Sequence, residues 1–322
     1  MPEGHSLHRL ARQVDDVFGG RRVRASSPQG RFTEGAALID GRVLERAWAH
    51  GKHLFADIEG GRVLHIHLGL YGAVSFGGDR TFTAASSIGA PRRIGERELP
   101  GLGDRVEIGD ADDDDPRPAP GSGQEKLVCG VSAARVPALV APAPRDTVRL
   151  RLQTVHGWAD LIGATACQLL TRQEADVLLA RLGPDPLNDD APDAFVDRAS
   201  RTRRPIGAVL MDQSMVAGVG NIFRAESLFR AGLDPWTPAR EVGEQRLTAL
   251  YRDNGELMRM GVRLGRIVST TREHRAAAPG GGRPSYYVYK RQGQACLVCR
   301  RETIVVEEMA ARKLYRCMVC QH

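Results

Sequence analysis

Lysine is scarce in this chain. Of 45 basic residues only Lys52, Lys126, Lys290 and Lys313 are lysines, and the rest are arginines. Arginine stays charged at any cellular pH, whereas lysine can exchange its proton and forms a compact point charge, so each of the four invites a chemical reading. Long apolar runs are missing as well. No stretch of about 18 apolar residues occurs, which argues against a membrane-spanning helix. The first ~30 residues lack the charged start, apolar middle and cleavage site of a secretory signal. The expectation is a cytoplasmic protein with no membrane partner.

What is present is size and uneven charge. With 322 residues, 42% of them hydrophobic, the chain is long enough for two domains, each burying its own core. Residues 77–146 hold 9 Lys+Arg and 12 Asp+Glu, a net of −3; since the whole chain carries +6, the remainder carries +9. From Thr271 to the end there are 10 basic and 4 acidic residues, a net of +6. Such a tail suits a polyanion, and nucleic acid is the commonest one inside cells; charge that serves solubility alone is the alternative.

Glu3 to Phe18 spaces Leu7, Leu10, Ala11, Val14 and Phe18 by three and four residues, which predicts an amphipathic helix. From Arg42 the pattern changes to short strands, "RVLERAWA", "HLFADI" and "RVLHIHL", with "EGG" turning the second pair. "TVRLRLQT" and "WADLIGA" predict another antiparallel pair. The fold class is therefore α+β, with a helix packed on an antiparallel sheet or sandwich over residues 1–182. Inside it, residues 77–146 are rich in Gly, Pro, Ala and Asp and contain "DADDDDPRPAPGSG". They predict a disordered insertion, with a small subdomain around "EKLVCGVSAARVPALV" as the alternative. "RLGPDPLNDDAP" has the composition of a linker, placed at 183–191. "PIGAVLMDQ", "GNIFRAESLFRAG" and "GEQRLTALYRDNGELMRMGVRLG" predict a mainly helical second domain over 192–275, and "PGGGRPS" precedes a cysteine-bearing unit at 276–322.

Four of the six cysteines form two Cys-x-x-Cys pairs, "CLVC" at 296–299 and "CMVC" at 317–320, separated by 17 residues. This spacing predicts one structural Zn2+ held by Cys296, Cys299, Cys317 and Cys320, each pair supplying two corners of a tetrahedron. Disulfides are the alternative, disfavoured in a reducing cytoplasm. Four ligands close the metal to substrate, and a unit this small would not fold without it. Cys129 and Cys167 remain as ordinary thiols. Arg300, Arg301, Arg312, Lys313 and Arg316 crowd the same unit, where an arginine on a rigid hairpin can enter a groove or stack on a base.

"MDQSMVAGVGNIFRAESLFRAG" runs from Met211 to Gly232. Its "GVG" follows a helix and not a strand, so it is not a dinucleotide loop. It reads as a glycine turn feeding a helix that begins at Asn221, with free backbone amides forming an anion seat suited to phosphate and the Asn221 amide adding a donor. Simple capping by Asn221 is equally compatible with the residue.

"PEG" at the start, "HGKHL", "HLGLYG", "LGPDPL", "MDQSMVAGVGNIFRAE" and "YVYKRQGQACLVC…ARKLYRCMVCQH" occur in this order. Together they make the chain resemble the formamidopyrimidine-DNA glycosylase and endonuclease VIII family, above all the endonuclease VIII branch of actinobacteria. The resemblance covers nearly everything outside the insertion. It implies an N-terminal β-sandwich with flanking helices, a helix-two-turns-helix domain and a zinc hairpin, with damaged DNA, duplex or single-stranded, in the cleft between. It also implies a monomeric, nucleoid-associated bacterial enzyme that removes oxidised bases, pyrimidines favoured, and cleaves the strand by β- and δ-elimination.

Under this resemblance Pro2 becomes a reagent. Loss of Met1 would free its ring nitrogen, and an α-amine with pKa near ~7.8 is about a quarter deprotonated at pH ~7.4, against roughly 0.1% for an ordinary lysine. A secondary amine joined to the sugar gives an iminium cation, an electron sink that favours elimination of phosphate. Glu3 would move protons during ring opening and base departure, and Lys52 in "HGKHL" would hold a phosphate and donate a proton. His67 would face a phosphate, and Leu70 and Tyr71 would fill the hole left by an extruded nucleotide, although such residues unaided are more often core. Asn221 and Arg312 match the phosphate-binding asparagine and the inserted hairpin arginine. Two positions depart from the pattern. Ser6 stands where many members carry a second glutamate, and Gly69 stands where a glutamine often precedes the Leu-Tyr pair. The alternatives are an enzyme acting mainly on abasic sites or on oxidised purines, and a zinc-stapled damage-binding protein without turnover.

Overall fold

The apolar stripe of residues 7, 10, 11, 14 and 18 forms one face of helix α1 (Gly4–Phe18), and that face is buried. The structure is a computed structural model that describes residues 2–79, 82, 85–90, 141–278 and 282–322. The short strands β1 (Arg21–Arg22) and β2 (Arg24–Ser26) and helix α2 (Thr33–Ile39) lead to β3 (Val43–His50), β4 (His53–Ile58), β5 (Arg62–His67), β6 (Ala73–Gly78) and β7 (Ser87–Gly89). After the undescribed stretch come β8 (Leu150–Gln153), β9 (Gly157–Ile162) and β10 (Ala166–Thr171). Helices follow: α3 (Arg172–Leu179), α4 (Asp193–Ser200), α5 (Ile206–Val209), α6 (Asn221–Arg230), α7 (Glu244–Leu264) and α8 (Arg272–Ala276). The chain closes with the hairpin β11 (Val305–Met309) and β12 (Arg312–Arg316).

Among the described residues the strands form two antiparallel five-stranded sheets, ordered β1-β3-β4-β5-β10 and β2-β8-β9-β6-β7. The second shows that the region expected to be an insertion from residue 77 contains sheet: β7 pairs with β6 through Ala73↔Gly89 and Val74↔Ile88. Alternation explains the gain, since Ile88 is buried against the same core as Val74 and Phe76. The acidic run at 110–115 and the segment "EKLVCGVSAARVPALV" lie outside the described residues.

One apolar cluster draws on α1 and both sheets, including Leu10, Phe18, Leu54, Leu64, Phe76 and Leu161. A second, with Phe195, Val209, Phe223, Leu250 and Met258, builds the helical half. A third joins α6 to the cysteine unit through Phe229, Tyr287, Val288, Leu297 and Tyr315. Helix α7 stops at Gly265, whose φ of +68 is the left-handed conformation that ends helices. No helix among the described residues is long and apolar enough to cross a membrane.

Candidate active site and nucleic-acid interface

The start of α1 is pressed against the loop before α6 at backbone distance. Gly4 N donates to Gly218 O at 2.9 Å, and a Cβ on Gly4 would lie 2.8 Å from Gly218 Cα. The β3–β4 turn arrives from the other side, where a Cβ on Gly51 would lie 2.8 Å from Ala217 Cβ. Gly51 and Gly218 both have positive φ, +57 and +90, so glycine is required there for conformation and for approach. Gln213 locks the loop by accepting from Gly218 N at 3.1 Å and donating to Val219 O at 3.0 Å.

This packing delivers Glu3 to the first turn of α6. Glu3 is 0% exposed, and its carboxylate accepts from Ile222 N at 2.8 Å and Phe223 N at 3.3 Å. The amides expected to stay free for a phosphate are therefore already filled by a carboxylate of the chain itself. A helix N-terminus favours any anion, and the nearest one here is covalently supplied. Lys52, half-buried on the β3–β4 turn, donates to Val219 O at 2.8 Å. Burial pushes the Glu3 carboxyl up, against the opposing pull of Lys52 and the two amides. Burial pushes the Lys52 ammonium down, with Glu3 pulling it back and Arg312 adding to the fall. Burial thus shifts the acid up and the base down, and each charge partly restores the other.

The turn that carries Lys52 is held by a buried acid in the segment read as a linker. Asp185, 0% exposed, accepts from Gly51 N at 2.6 Å and Leu187 N at 2.8 Å and lies 2.7 Å from His8 Nε2. Proline and glycine density marked this segment as a loop, and burial of Asp185 within it was invisible in that composition.

Asn221 neither caps its helix nor stands open. The N-cap is Gly220, and Asn221 Nδ2 donates to Lys313 O at 2.9 Å across to the hairpin. Arg224, one turn later and fully buried, donates to the Asn221 side-chain oxygen, to Met309 O at 3.2 Å and to Lys313 O at 3.2 Å. Burial lowers its guanidinium to about 10, with Glu3 opposing and Arg312 assisting. These bonds grip the hairpin turn Ala310–Ala311, where both residues have φ of +54. Two alanines in the left-handed region are strained, and the α6 side chains hold the carbonyls on either side. Arg312 follows directly and is exposed. Glu226, also on α6 and fully buried, accepts from Tyr287 N at 2.7 Å, Val288 N at 2.9 Å and Tyr289 N at 2.7 Å. Sequence reasoning missed Arg224 and Glu226, though their three- and five-residue offsets from Asn221 were available as a signal.

The loop after β5 presents Leu70 and Tyr71 to solvent, 41% and 71% exposed, so neither is a core residue. Gly69 has φ of +65, and a Cβ there would overlap Thr165 Oγ1. A glutamine at this position would need Thr165 to turn its hydroxyl away and would adopt a strained left-handed backbone. His67 is half-buried at the end of β5, its ring 4.9 Å from that of His53, and burial together with the Lys52 charge lowers its pKa. Glu3, Lys52, Arg224 and Arg312 share one electrostatic neighbourhood, and Asn221 and His67 border it.

The four cysteines of the tail converge with all sulfurs within 4.8 Å of one another. Cys296 and Cys320 Sγ are 3.8 Å apart and Cys299 and Cys317 Sγ 3.7 Å. These are not disulfides. A tetrahedron with metal–sulfur bonds of about 2.3 Å has edges of about 3.8 Å, so the donor set fits zinc in both chemistry and spacing.

Residues 1–102 match the formamidopyrimidine-DNA glycosylase N-terminal domain, and residues 182–273 match the formamidopyrimidine-DNA glycosylase H2TH domain. "Endonuclease 8 1" of Mycobacterium tuberculosis is 39% identical over 324 residues, covering 100% of both chains. The chain belongs to the formamidopyrimidine-DNA glycosylase and endonuclease VIII family. As a member it is a DNA glycosylase with abasic-site lyase activity. The formamidopyrimidine-DNA glycosylase of Thermus thermophilus is 38% identical over 147 residues, 45% of this chain and 55% of that one. The fold agrees with Lactococcus lactis Fpg solved with DNA containing an abasic site, at a TM-score of 0.66 and 16% identity over 99% of each chain.

Proposed function

We propose that the chain excises oxidised bases, pyrimidines favoured, through a covalent Pro2 adduct and then cuts the strand by successive β- and δ-elimination. The observation that carries the reading is Glu3, fully buried one residue from Pro2 and set against Lys52. With Met1 removed, the neutral Pro2 nitrogen attacks C1′ of the damaged nucleotide, the glycosidic bond breaks and the base leaves with the proton shed by that nitrogen. Glu3, its carboxyl raised by burial, supplies the proton to O4′ as the sugar opens to the C1′ iminium. Loss of a C2′ proton sends electrons into the iminium and expels the 3′-phosphate. Loss of a C4′ proton then expels the 5′-phosphate, and water hydrolyses the iminium to return the amine.

Lys52, Asn221, Arg312 and His67 are the phosphate contacts in this reading. Asn221 keeps one amide hydrogen beyond that given to Lys313 O. Leu70 and Tyr71, exposed side by side, fill the space of the extruded nucleotide. Residues 192–275 supply the helix-two-turns-helix contact to the backbone. Cys296, Cys299, Cys317 and Cys320 hold one Zn2+ that braces the hairpin and takes no part in the reaction. The protein acts as a monomer on duplex or single-stranded DNA.

The test is reduction with borohydride in the presence of abasic-site DNA, followed by peptide mapping. The expected result is a stable adduct on the Pro2 peptide, abolished when the nitrogen is acetylated or Met1 is retained. An adduct on the Lys52 peptide, or none, overturns the assignment.

A further inference from the structure

Four of the nine histidines, His50, His53, His65 and His67, lie on β3, β4 and β5, on the face of the first sheet turned away from the core of Leu54, Leu64 and Ile66. Register places His50 opposite His53, Phe55 opposite His65, and Ala166 and Gln168 of β10 opposite His67 and His65. His53 Nδ1 is 2.9 Å from His65 Nε2, with the two rings inclined by only 20°. His65, 3% exposed, places its Nδ1 3.4 Å from Gln168 Oε1. The His67 ring completes the row 4.9 Å from that of His53, and it forms no hydrogen bond among the described residues.

The row of bonds has a direction. Gln168 Oε1 accepts, so His65 Nδ1 carries a proton, and in a neutral ring Nε2 is then bare and accepts from His53 Nδ1. Neutral His53 is left with a bare Nε2. Burial, followed by the charges of His67, His65, His50 and Lys52, lowers His53 to about 3. Burial also lowers His65, with Gln168 opposing and His67 assisting, and burial and Lys52 lower His67. The titratable groups facing His67 are therefore Lys52 on the β3–β4 turn, His53 on β4 and His65 on β5, while β10 brings only Ala166 and Gln168 to this side. His50 is already engaged, donating to Gly183 O at 2.9 Å and accepting from Asn188 Nδ2 at 3.3 Å.

Resting on the reading of His67 as a phosphate contact, we propose that His53, fixed as an acceptor by His65 and Gln168, is a positioning residue that steadies a protonated His67 against a DNA phosphate, so that capture of DNA takes up a proton from solvent. A phosphate beside His67 reverses the sign of its surroundings, because an anion within about 4–6 Å favours the charged ring. An imidazolium carries two N–H groups. One meets the phosphate, and the other would be orphaned without the bare Nε2 of His53. Every donor in the row then points from the phosphate toward Gln168. The bound ring has the higher pKa, so affinity is greatest below the free-state value and falls as pH rises through the bound one.

The experiment is calorimetric titration of the full chain with a duplex carrying a reduced abasic site, at fixed salt and near neutral pH, in two buffers of different ionisation enthalpy. The wild type is expected to take up about half a proton or more, and its affinity to gain up to about tenfold per unit of acidification. His67→Asn, which donates but does not titrate, gives the uptake due to other groups such as Lys52. His53→Phe keeps a ring without the acceptor and should fall to the His67→Asn level, whereas His53→Gln, which still accepts, retains part of the difference. Gln168 is exposed, so its variants spare the core. Gln168→Leu should lower the uptake, and Gln168→Glu, with a carboxylate at the end of the row, should move the pH midpoint of affinity upward; a merely structural role would move neither. No uptake by the wild type, or uptake at the wild-type level in both His53→Phe and Gln168→Leu, overturns the inference and leaves the phosphate contact standing. Wild-type affinity and uptake in His67→Asn overturn the contact, and the inference with it.

Discussion

Glu3 has two employments that pull in opposite directions. Ionised, it satisfies two amides of α6; protonated, it can serve an opening sugar. Because burial raises its pKa, the acid form persists to higher pH than for an exposed glutamate, and base release is expected to fall as pH rises through that shifted value. Glu3→Gln removes this limb from the pH–rate profile and lowers single-turnover base release about 100-fold or more. Asp185 is the contrasting carboxylate. Burial alone would raise it, but His8 and the amides of Gly51 and Leu187 outweigh burial and hold it low. A lowered folded pKa adds stability above the unfolded value of about 3.9, and that stability is lost as pH falls through the folded one. Asp185→Asn should cost about 1–3 kcal/mol at neutral pH, with the gap in melting temperature closing on acidification.

Helix α6 is the element through which the parts communicate. Its amides take Glu3, its residues Asn221 and Arg224 grip the hairpin, and Glu226 ties down 287–289. A single ten-residue helix therefore carries the geometry from the N-terminal half to the cysteine unit. Removing the Zn2+ proposed for the four-cysteine cluster should release the hairpin from the far end. Chelation is expected to abolish cutting of abasic-site DNA and weaken DNA binding, while near-UV signals from Trp48 and Trp158 on the sheets persist; re-addition of Zn2+ restores both activities. Loss of the sheet signals together with activity would place the zinc unit within the main cooperative fold.

For the whole molecule, charge is the quantity that governs encounter. The chain outside residues 77–146 carries +9 by the count above, and such a surface releases counterions when it meets DNA. If about six phosphates are neutralised, affinity should fall roughly 1,000-fold between about 50 and 200 mM salt. A slope near zero on a logarithmic plot would mean that the basic tail does not meet the backbone.

The amphipathic helix at residues 4–18, the strand pairs around "EGG", and the four-cysteine cluster were legible because each is written within a short window, by periodicity or by ligand spacing. The family was legible for a similar reason, as a series of short motifs in a particular order. Strand β7 was not legible, because three residues in a glycine- and proline-rich stretch show no period until a partner strand is beside them. Nor was the occupant of the α6 amides, since an empty helix N-terminus and one filled by a residue 219 positions away read identically along the chain. The chain by itself determined which residue types were available and where the strongly periodic elements and the cysteine pairs lay. Only the tertiary structure decided that Glu3 would sit under α6, that Asp185 would brace the lysine turn and that Gly69 would lie against Thr165. Those outcomes depend on which distant backbones can approach within a van der Waals radius, a property of packing that no local pattern encodes.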